Sequence, residues 1–477
     1  MKRMLGHYTK EGRATGLRSS GNGKRVEVSM VKTAAVIGLG KLGAPLAACL
    51  ASKGLRVIGV DEDSQKVEAV QAGRAPVLET GLESMIRENQ DRLSATSNIA
   101  EGVANSDVTF IVVSTPSEPS GGFSLRYVLP VCEVIGRALK SKSEFHLVVL
   151  TSTVLPGTTG GPVRSKLEES SGKQCGRDFG LCYSPEFIAL GSVIRDFLNP
   201  DFVLIGESDA RSGEILQELY SRVCESRPGV ARMNFANAEI TKLAVNTYVT
   251  TKISFANMLA RICECVPGGN VDVVTAALGL DSRIGAKYLK GAVSYGGPCF
   301  PRDNHALAAL ARDVGAPFDL AYATDQFNRA QVQWLAALVE KYAWKGGAIG
   351  ILGLTYKPQT DVVEEAVGFL LAREMAARGF RVTAFDPAGM AHARRELGET
   401  VKFATSAEQC IDECEVIVVA TPWKEFLEIP PEKWTSANEK RTVVDCWRAL
   451  SLLEQRQGIR YIGLGLGKSM DHASNSD

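Results

Sequence analysis

The segment from Thr33 to Asp61 constrains the fold more than any other part of the chain. An apolar, β-rich run, TAAVIGLG, is followed by a helical stretch that closes at Gly54 and by a second apolar run that ends at Asp61. A change from continuous to helical apolar spacing and back is typical of a strand–helix–strand unit. Such a crossover connects two parallel strands of one sheet. The segment therefore predicts a parallel α/β domain.

The turn between this first strand and its helix is rich in glycine. It reads Gly38-Leu39-Gly40-Lys41-Leu42-Gly43, and Asp61 ends the following strand. Glycines permit a tight turn and a close approach of the backbone to a pyrophosphate, whose charge the helix N-terminus stabilises. A carboxylate at the end of the second strand accepts hydrogen bonds from ribose hydroxyls and repels a 2′-phosphate. We therefore predict NAD, rather than NADP, bound by Gly38, Gly40, Lys41, Leu42, Gly43 and Asp61.

The first half continues as strands that alternate with helices. Apolar strands are predicted at 107–116 and 146–154, and strands that are apolar throughout are covered on both faces. This pattern is typical of a doubly wound parallel sheet. The predicted cofactor site also includes Ser114, Thr115 and Pro116 at the end of one of these strands and Thr153 in the other.

The remainder of the chain divides into a helical part and a second α/β part. Residues 217–333 have helical apolar spacing, and from Gly347 strands and helices alternate again. The run VIVVATP echoes FIVVSTP of the first half, which indicates an internal duplication. The predicted fold is α/β, with two doubly wound Rossmann-like domains joined by a helical dimerisation segment. Its predicted parts are a disordered basic extension (1–30), an NAD-binding domain (31–216), a central helical dimerisation domain (217–333), a C-terminal Rossmann-like domain (334–466) and a disordered tail (467–477).

The composition argues against several functional classes. The 477 residues include 54 basic and 54 acidic side chains, so no net field attracts nucleic acid or an anionic membrane, and neither is a predicted partner. No apolar run reaches the ~18 residues of a membrane span, and no secretory signal is recognisable, so we expect a cytoplasmic protein. Eleven cysteines and five histidines lack the spacings of metal sites, and no metal is predicted.

One cysteine stands in an unusual setting. Cys299 lies in GGPCFPRD, between paired glycines and two prolines, whereas most unpaired cysteines are buried as small apolar groups. Upstream, Lys242 and Asn246 stand at positions i and i+4 and project from one helix face, where a cation and an amide can stabilise an oxyanion. The residue patterns alone leave a structural thiol and a solvated surface pair as the alternatives.

The second α/β part lacks the glycine fingerprint. It has Gly353-Leu354-Thr355-Tyr356-Lys357-Pro358 at the corresponding turn. A second dinucleotide is therefore not predicted. The end of a strand with a lysine suits a different phosphate-bearing molecule, because doubly wound sheets bind ligands at this edge.

Eight separated motifs add a resemblance to a known family. They are the turn from Gly38 to Gly43, Ser152-Thr153-Val154, YSPEF, NPDFVLIG, Lys242 with Asn246, DSRIGAKYLK, GGPCFPRD and GLTYKPQTD. In order and spacing, they resemble the UDP-glucose/GDP-mannose dehydrogenases over about residues 33–465, and DSRIGAKYLK is most similar to the UDP-glucose branch.

The resemblance implies a function. It implies a four-electron oxidation of a nucleotide-sugar C6 alcohol to a carboxylate, with two NAD consumed and a homodimer as the assembly, which could assemble further. UDP-glucose is the expected substrate, with a UDP-N-acetylhexosamine or GDP-mannose as alternatives. A non-catalytic nucleotide-sugar-binding protein is the alternative from another functional class.

The resemblance also assigns catalytic roles. Cys299 matches the nucleophile that forms a thiohemiacetal and then a thioester, a chemistry that suits a thiol. Lys242 and Asn246 match residues that stabilise the oxyanions. Asp303 matches an acid that acts through water, and Thr153 and Glu186 match residues that position the hydrolytic water.

The resemblance further implies a substrate site in which Arg283 is lent by the neighbouring subunit. The paired glycines of GGPCFPRD are expected to let the backbone approach the sugar. The implied substrate residues are Glu186, Phe187, Ile188, Lys242, Asn246, Arg283, Lys290, Tyr295, Gly296, Gly297, Cys299, Tyr356, Lys357 and Arg448.

The chain departs from the family pattern near the cofactor. Leu190 stands where family members commonly have a second acid, and Glu364 replaces an arginine that approaches the cofactor. Val362 replaces an aspartate, and Pro298 replaces a serine before the cysteine. The cofactor contact of that arginine does not transfer to Glu364.

Overall fold

Two sheets of mainly parallel strands organise the chain, as the apolar strand patterns predict. The computed structural model describes residues 30–316, 320–435 and 441–467. The predicted disordered extension and tail therefore lie outside the described residues, apart from Met30 and Gly467. Across the described ranges, no helix combines the length and the apolar character that a bilayer crossing requires.

The first sheet has eight strands within the described residues, in the order β3-β2-β1-β4-β5-β6-β7-β8. All neighbouring strands run parallel except β6 and β7, which are antiparallel. The strands are β1 (Thr33–Ile37), β2 (Arg56–Val60), β3 (Leu93–Thr96), β4 (Val108–Ile111), β5 (Leu147–Leu150), β6 (Gly180–Tyr183), β7 (Phe202–Glu207) and β8 (Gly229–Met233). Every residue of β4, β5 and β6 is buried, which confirms that helices cover both faces.

The helices around this sheet follow from the crossovers between its strands. They are α1 (Gly43–Ser52), α2 (Ser64–Gln71), α3 (Leu82–Glu88), α4 (Ile99–Ala104), α5 (Val128–Lys140), α6 (Arg164–Ser171), α7 (Val193–Leu198) and α8 (Ala210–Val223). Side-chain caps define several helix starts, for example Asp209, which accepts from the Ser212 amide at the start of α8.

The second sheet has six strands in the described ranges, all parallel, in the order β11-β10-β9-β12-β13-β14. Its strands are β9 (Ala348–Leu352), β10 (Arg381–Phe385), β11 (Lys402–Phe403), β12 (Val416–Val419), β13 (Arg441–Asp445) and β14 (Ile459–Gly463). Its helices are α13 (Val367–Ala377), α14 (Met390–Leu397), α15 (Ala407–Asp412) and α16 (Lys424–Leu427). Two parallel sheets confirm the predicted fold class.

Within the described residues, four helices connect the two sheets: α9 (Phe235–Cys265), α10 (Val271–Leu280), α11 (Phe300–Asp313) and α12 (Leu320–Glu340). The predicted boundary between residues 216 and 217 falls within α8, and the first sheet continues to β8. The sequence analysis does not predict β8, which is a short edge strand in which no residue is fully buried. The predicted boundary at 333/334 falls within α12. Helices can run across a domain boundary, so periodicity does not locate it.

The internal duplication extends to glycine positions that the linear sequence obscures. Gly38 and Gly353 follow the first strand of each sheet with φ of +101° and +96°, which favours glycine. A Cβ at Gly43 would lie 1.8 Å from the Gly38 carbonyl oxygen, and one at Gly368 would lie 1.9 Å from that of Gly353. Both halves therefore pack a helix glycine on the turn, but residues 354–367 separate the two glycines in the second half, whereas only residues 39–42 separate them in the first.

Candidate active site

The glycine turn of the first sheet has the geometry of a pyrophosphate cradle. A Cβ at Gly38 would lie 2.4 Å from the Val112 carbonyl oxygen, so the first and third glycines serve close packing. A Cβ at Gly40 would meet no atom within 4 Å. The second glycine therefore faces open space, where the backbone can approach a dinucleotide phosphate. These residues fit NAD.

Asp61 links the end of β2 to this turn. Its Oδ2 accepts a hydrogen bond from the Leu39 amide at 2.6 Å, and its Oδ1 accepts one from the Asp63 amide at 3.0 Å. The Lys66 ammonium lies 3.3 Å from both carboxylate oxygens. Asp61 thus has a structural role in the turn beside its predicted role toward a ribose. Lys66 is a neighbour that sequence reasoning missed, although it lies only one helical turn along the chain.

The residues that follow β4 and β5 lie at the same edge of the first sheet as the glycine turn. Thr115 donates a hydrogen bond from its hydroxyl to the Thr153 carbonyl at 2.8 Å, and Ser152 donates to the Val113 carbonyl at 2.6 Å. Ser114 is exposed. Hydrogen bonds therefore connect the segments that carry the other predicted cofactor residues. Both segments lie close in sequence or space to Val112, whose carbonyl oxygen faces Gly38.

Cys299 lies at the entrance of a helix. It immediately precedes α11, which has Pro301 in its first turn, and its carbonyl accepts from the Asp303 amide at 2.9 Å. The side chain is exposed, yet the protein around the sulfur removes water and raises its pKa, with Arg302 opposing this shift. The thiol is therefore not a preformed thiolate, and its attack requires a base.

Asn246 of the predicted oxyanion pair contacts Asp303, the acid of the GGPCFPRD motif. Asn246 donates from Nδ2 to Asp303 Oδ2 at 2.6 Å, and Asp303 is fully buried. The other oxygen, Asp303 Oδ1, lies 3.5 Å from Arg302 Nε and has no hydrogen-bond partner among the described residues. A buried carboxylate oxygen in this state calls for a water or a ligand as its partner.

Lys242 connects this cluster to the loop after β6. Its ammonium donates to the Glu186 carbonyl at 2.7 Å and lies 4.6 Å from the centre of the Phe187 ring. Burial lowers the pKa of Lys242, while Asp303, Cys299 and Glu186 oppose this. The ammonium thus lies among the groups that the predicted chemistry requires.

Glu186 is a carboxyl group poised near neutrality. Burial raises its pKa to about 7, and a hydrogen bond from Tyr220 and the charge of Lys242 oppose this rise. The Tyr220 hydroxyl lies 3.3 Å from Glu186 Oε1. A carboxyl with this pKa can accept a proton from water and return it near pH 7.

Glu79 holds the loop that follows Glu186. Its two carboxylate oxygens accept from the Gly191 amide at 2.8 Å and the Val193 amide at 2.9 Å. Glu79 is buried. Sequence reasoning missed it, because a single acid in a loop of another segment gives no signal.

A small apolar cluster holds the catalytic helices together. Leu243 of α9 packs with Ala306 of α11 and with Phe123 of the first half. The Thr250 hydroxyl also donates to Asn304 at 3.1 Å across the same two helices. These contacts place Lys242 and Asn246 beside the Cys299 loop.

Residues 354–366, which we call the bridging loop, contact both the NAD turn and the Cys299 loop. The Gly297 amide donates to the Glu364 carbonyl at 2.9 Å, and Lys41 Nζ lies 2.6 Å from Asp361 Oδ1. The loop therefore joins the NAD turn to the Cys299 loop. Asp361 is a functional candidate that sequence reasoning missed.

The bridging loop also explains the paired glycines. A Cβ at Gly296 would lie 2.4 Å from the Glu365 carbonyl oxygen, and one at Gly297 would lie 3.0 Å from the Tyr356 ring. Gly297 also has a φ of +86°. In this chain the glycines therefore admit the bridging loop, and the approach of their backbone to the sugar stays a prediction.

The predicted substrate residues include members on the bridging loop, in the Cys299 loop and in the loop after β6. Tyr356 and Lys357 lie on the bridging loop, where burial lowers the pKa of Lys357 and Asp196 and Glu79 oppose the shift. Tyr295 is buried and bonds to Asn328 and Asn304, so it supports the Cys299 loop. Phe187 and Ile188 are half-buried in the loop after β6.

Arg283 and Arg448, two of the remaining predicted substrate cations, have partners within the chain. Arg283 is exposed and pairs with Asp281 at 2.5 Å, and Lys290 is exposed. The buried Arg448 guanidinium lies 2.7 Å from Asp272 and also donates to two backbone carbonyls. Arg448 therefore acts as a tie between the second sheet and α10. Glu364, at the replaced position, is exposed as a residue, yet partial desolvation of its carboxyl and the charge of Glu365 raise its pKa, while Arg302 opposes this.

Comparisons with known proteins agree with this arrangement. Residues 32–224, 236–330 and 350–452 match the NAD binding, central and UDP binding domains of the UDP-glucose/GDP-mannose dehydrogenase family. The chain is 34% identical to UDP-glucose 6-dehydrogenase AglM of Haloferax volcanii over 90% of this chain and 99% of that protein. It is 36% identical to GDP-mannose 6-dehydrogenase of Pseudomonas putida over 74% of this chain and 80% of that protein.

A solved structure leads to the same assignment. The structure of a UDP-glucose dehydrogenase from Pyrobaculum islandicum superimposes with a TM-score of 0.83 at 33% identity, over 94% of this chain and all of that one. The matched NAD binding domain and the open glycine turn identify NAD as the cofactor. The chain therefore belongs to the UDP-glucose/GDP-mannose dehydrogenase family of NAD-dependent nucleotide-sugar dehydrogenases.

Proposed function

We propose that this protein oxidises UDP-glucose at C6 to UDP-glucuronate, with two NAD reduced per sugar. The observation that carries the proposal is the convergence of Lys242, Asn246, Asp303 and Glu186 around the loop of Cys299. A protein that only bound the nucleotide sugar would need no nucleophile in such a setting, so we favour the enzyme over the non-catalytic alternative.

The first oxidation converts the C6 alcohol to an aldehyde. Bound NAD supplies the hydride acceptor, held at the glycine turn and by Asp61. Lys242 and Asn246 stabilise the alkoxide that forms as the hydroxyl proton leaves. The unpartnered Asp303 Oδ1 accepts that proton through a water.

The second oxidation passes through the protein. The Cys299 sulfur bonds to the aldehyde carbon, its proton leaves through the same water, and a thiohemiacetal forms. Loss of the C6 hydride, for which a second NAD at the same site would be the acceptor, then gives a thioester on Cys299. Lys242 and Asn246 again stabilise the negative oxygen, because it occupies the same position in both steps.

Hydrolysis releases the acid. Glu186 takes a proton from water, and the water oxygen bonds to the thioester carbon. The carbon–sulfur bond then breaks, and the sulfur of Cys299 recovers a proton. Thr153 follows β5, which pairs with β6, the strand before this loop, and we propose that Thr153 positions the water.

A panel of nucleotide sugars tests the proposal. Purified protein with NAD should form two NADH per UDP-glucose, measured by absorbance, with UDP-glucuronate identified by chromatography. GDP-mannose belongs in the panel because a GDP-mannose 6-dehydrogenase is 36% identical. A UDP-N-acetylhexosamine is the third substrate to test. Formation of one NADH per sugar, or no turnover with any of the three, would refute the proposal.

We further propose a homodimer built on α9, which could assemble further. Tyr248, Phe255, Met258 and Ile262 are exposed apolar residues on this helix, and their spacing of seven, three and four matches a helix-packing seam. Arg283, which is exposed and pairs with Asp281 of its own turn, would then reach the neighbouring subunit's substrate. Sedimentation analysis should show a dimer, and Phe255→Glu should yield monomers with weaker substrate binding.

We place the reaction in the cytoplasm. All eleven cysteines fall in the described ranges and are free, and free thiols persist in reducing compartments.

A further inference from the structure

Three groups behind the catalytic cleft form a chain of hydrogen bonds that ends at Glu186. Ser184 Oγ donates to the Leu204 carbonyl at 3.0 Å, and it also lies 3.0 Å from the Tyr220 hydroxyl. The Tyr220 hydroxyl in turn lies 3.3 Å from Glu186 Oε1. Ser184 and Tyr220 are buried. The chain is Leu204–Ser184–Tyr220–Glu186.

The number of protons limits how many of these bonds form at once. A carbonyl oxygen has no proton to donate, and Ser184 and Tyr220 have one each. The chain contains three bonds but only two hydroxyl protons when Glu186 is ionised. A protonated Glu186 supplies the third, so that Glu186 donates to Tyr220, Tyr220 to Ser184 and Ser184 to Leu204. Only the protonated form satisfies every bond.

We propose that Ser184 is a positioning residue that, acting through Tyr220, makes Glu186 a stronger base for thioester hydrolysis. When Glu186 takes a proton from water, the chain gains its third hydrogen bond, so the proton transfer is favoured by about one such bond. This inference rests on the proposed function for the identity of the reaction, but the preference of the chain for a protonated Glu186 does not.

Other charged or titratable groups face Glu186 from each neighbouring element. They are Lys242 on α9, Tyr220 on α8, Cys224 after α8, Cys49 on α1 and Asp196 on α7. Burial raises the pKa of both cysteines, so they are neutral near pH 7. Lys242 favours the ionised form of Glu186. The charge of Lys242 therefore opposes the preference of the hydrogen-bond chain for protonated Glu186, and near neutral pH both forms of Glu186 are populated.

Replacing Ser184 tests the proton count directly. In Ser184→Ala, Tyr220 no longer has a second acceptor and is free to donate to the carboxylate. The protonated form loses its advantage, and the pKa of Glu186 should fall by about half to one pH unit. In Tyr220→Phe the carboxylate loses its hydroxyl donor, so the pKa should not fall. A role confined to packing predicts no such difference.

The measurement does not depend on turnover. Infrared difference spectra of the protein without ligands, recorded across pH, follow the carbonyl band of the protonated carboxyl, and Glu186→Gln identifies the band. Ser171→Ala is the matched control, since Ser171 is buried and also donates to a backbone carbonyl, at 2.6 Å to Leu167. It should leave the band unchanged.

The kinetic profile gives a second readout. The acid limb of the pH profile for hydrolysis should move to lower pH in Ser184→Ala, with a lower maximal rate because the base is weaker. An unchanged or raised pKa in Ser184→Ala, or an equal fall in Tyr220→Phe, would overturn the inference. A wild type without two NADH per sugar would instead refute the proposed function, and the infrared result would still stand.

Discussion

Replacing Glu186 with glutamine should make the protein more stable while it removes hydrolysis. Burial raises the pKa of Glu186 from 4.5 to about 7, so the folded protein retains a proton that the unfolded chain loses. Stability therefore falls as pH rises through this window, and the loss is complete above the folded pKa. Glutamine has no charge to bury, and this loss disappears in Glu186→Gln.

The magnitude follows from the shift. One pKa unit corresponds to about 1.4 kcal/mol, so a rise from 4.5 to about 7 costs the folded wild type about 3 kcal/mol at about pH 8. At about pH 5 most of the carboxyl is protonated in the folded state, and the cost is about 1 kcal/mol. Glu186→Gln should thus gain about 2 kcal/mol more at the higher pH.

The assay is urea unfolding followed by far-ultraviolet circular dichroism at both pH values. Intrinsic tryptophan fluorescence is unsuitable, since all five tryptophans lie at residue 334 or beyond, whereas Glu186 lies in the first half. Glu83→Gln is the control, because Glu83 is an exposed partner of Arg87 and should change stability by less than about 0.5 kcal/mol. An equal gain at both pH values would refute the reasoning, since it would show that the carboxyl carries no charge-dependent cost.

Four further predictions concern the nucleophile, the Lys242 ammonium, the cofactor and the bridging loop. Cys299→Ser should bind NAD and UDP-glucose but form no free acid, and product analysis that shows near wild-type amounts of acid would contradict the thioester step. Lys242→Ala should also slow the first oxidation, because loss of the ammonium raises the activation barrier by about 3 to 4 kcal/mol. Asp61→Asn should bring the kcat/KM values for NADP and NAD closer together, and an unchanged preference in steady-state kinetics would show that the carboxylate does not set cofactor choice. Lys41→Met and Asp361→Asn should each weaken NAD binding as measured by calorimetry. In a double-mutant cycle the two changes should show a coupling free energy of about 0.2 to 1 kcal/mol, a small value because the ion pair is partly exposed. Additive effects would mean that this ion pair does not connect the NAD turn to the bridging loop.

The sequence by itself predicts the parts of this protein that depend on local patterns. The turn from Gly38 to Gly43 and the apolar strands predict a parallel sheet and a dinucleotide, because strand and helix periodicity and glycine conformation are properties of neighbouring residues. The echo of one strand motif predicts the duplication. Cys299, Lys242 and Asp303 follow from motifs and a family resemblance, and their convergence is seen only in the folded chain.

Only the tertiary structure reveals the groups that tune this site. Glu79, Tyr220 and Asp361 reach it from distant segments, and each acts through a contact with residues far away in the sequence. The paired glycines before Cys299 illustrate the same limit, because the chain that presses against them is the bridging loop, residues 354–366. Long-range packing decides which side chains meet, and no local pattern records the identity of a residue's partner across the fold.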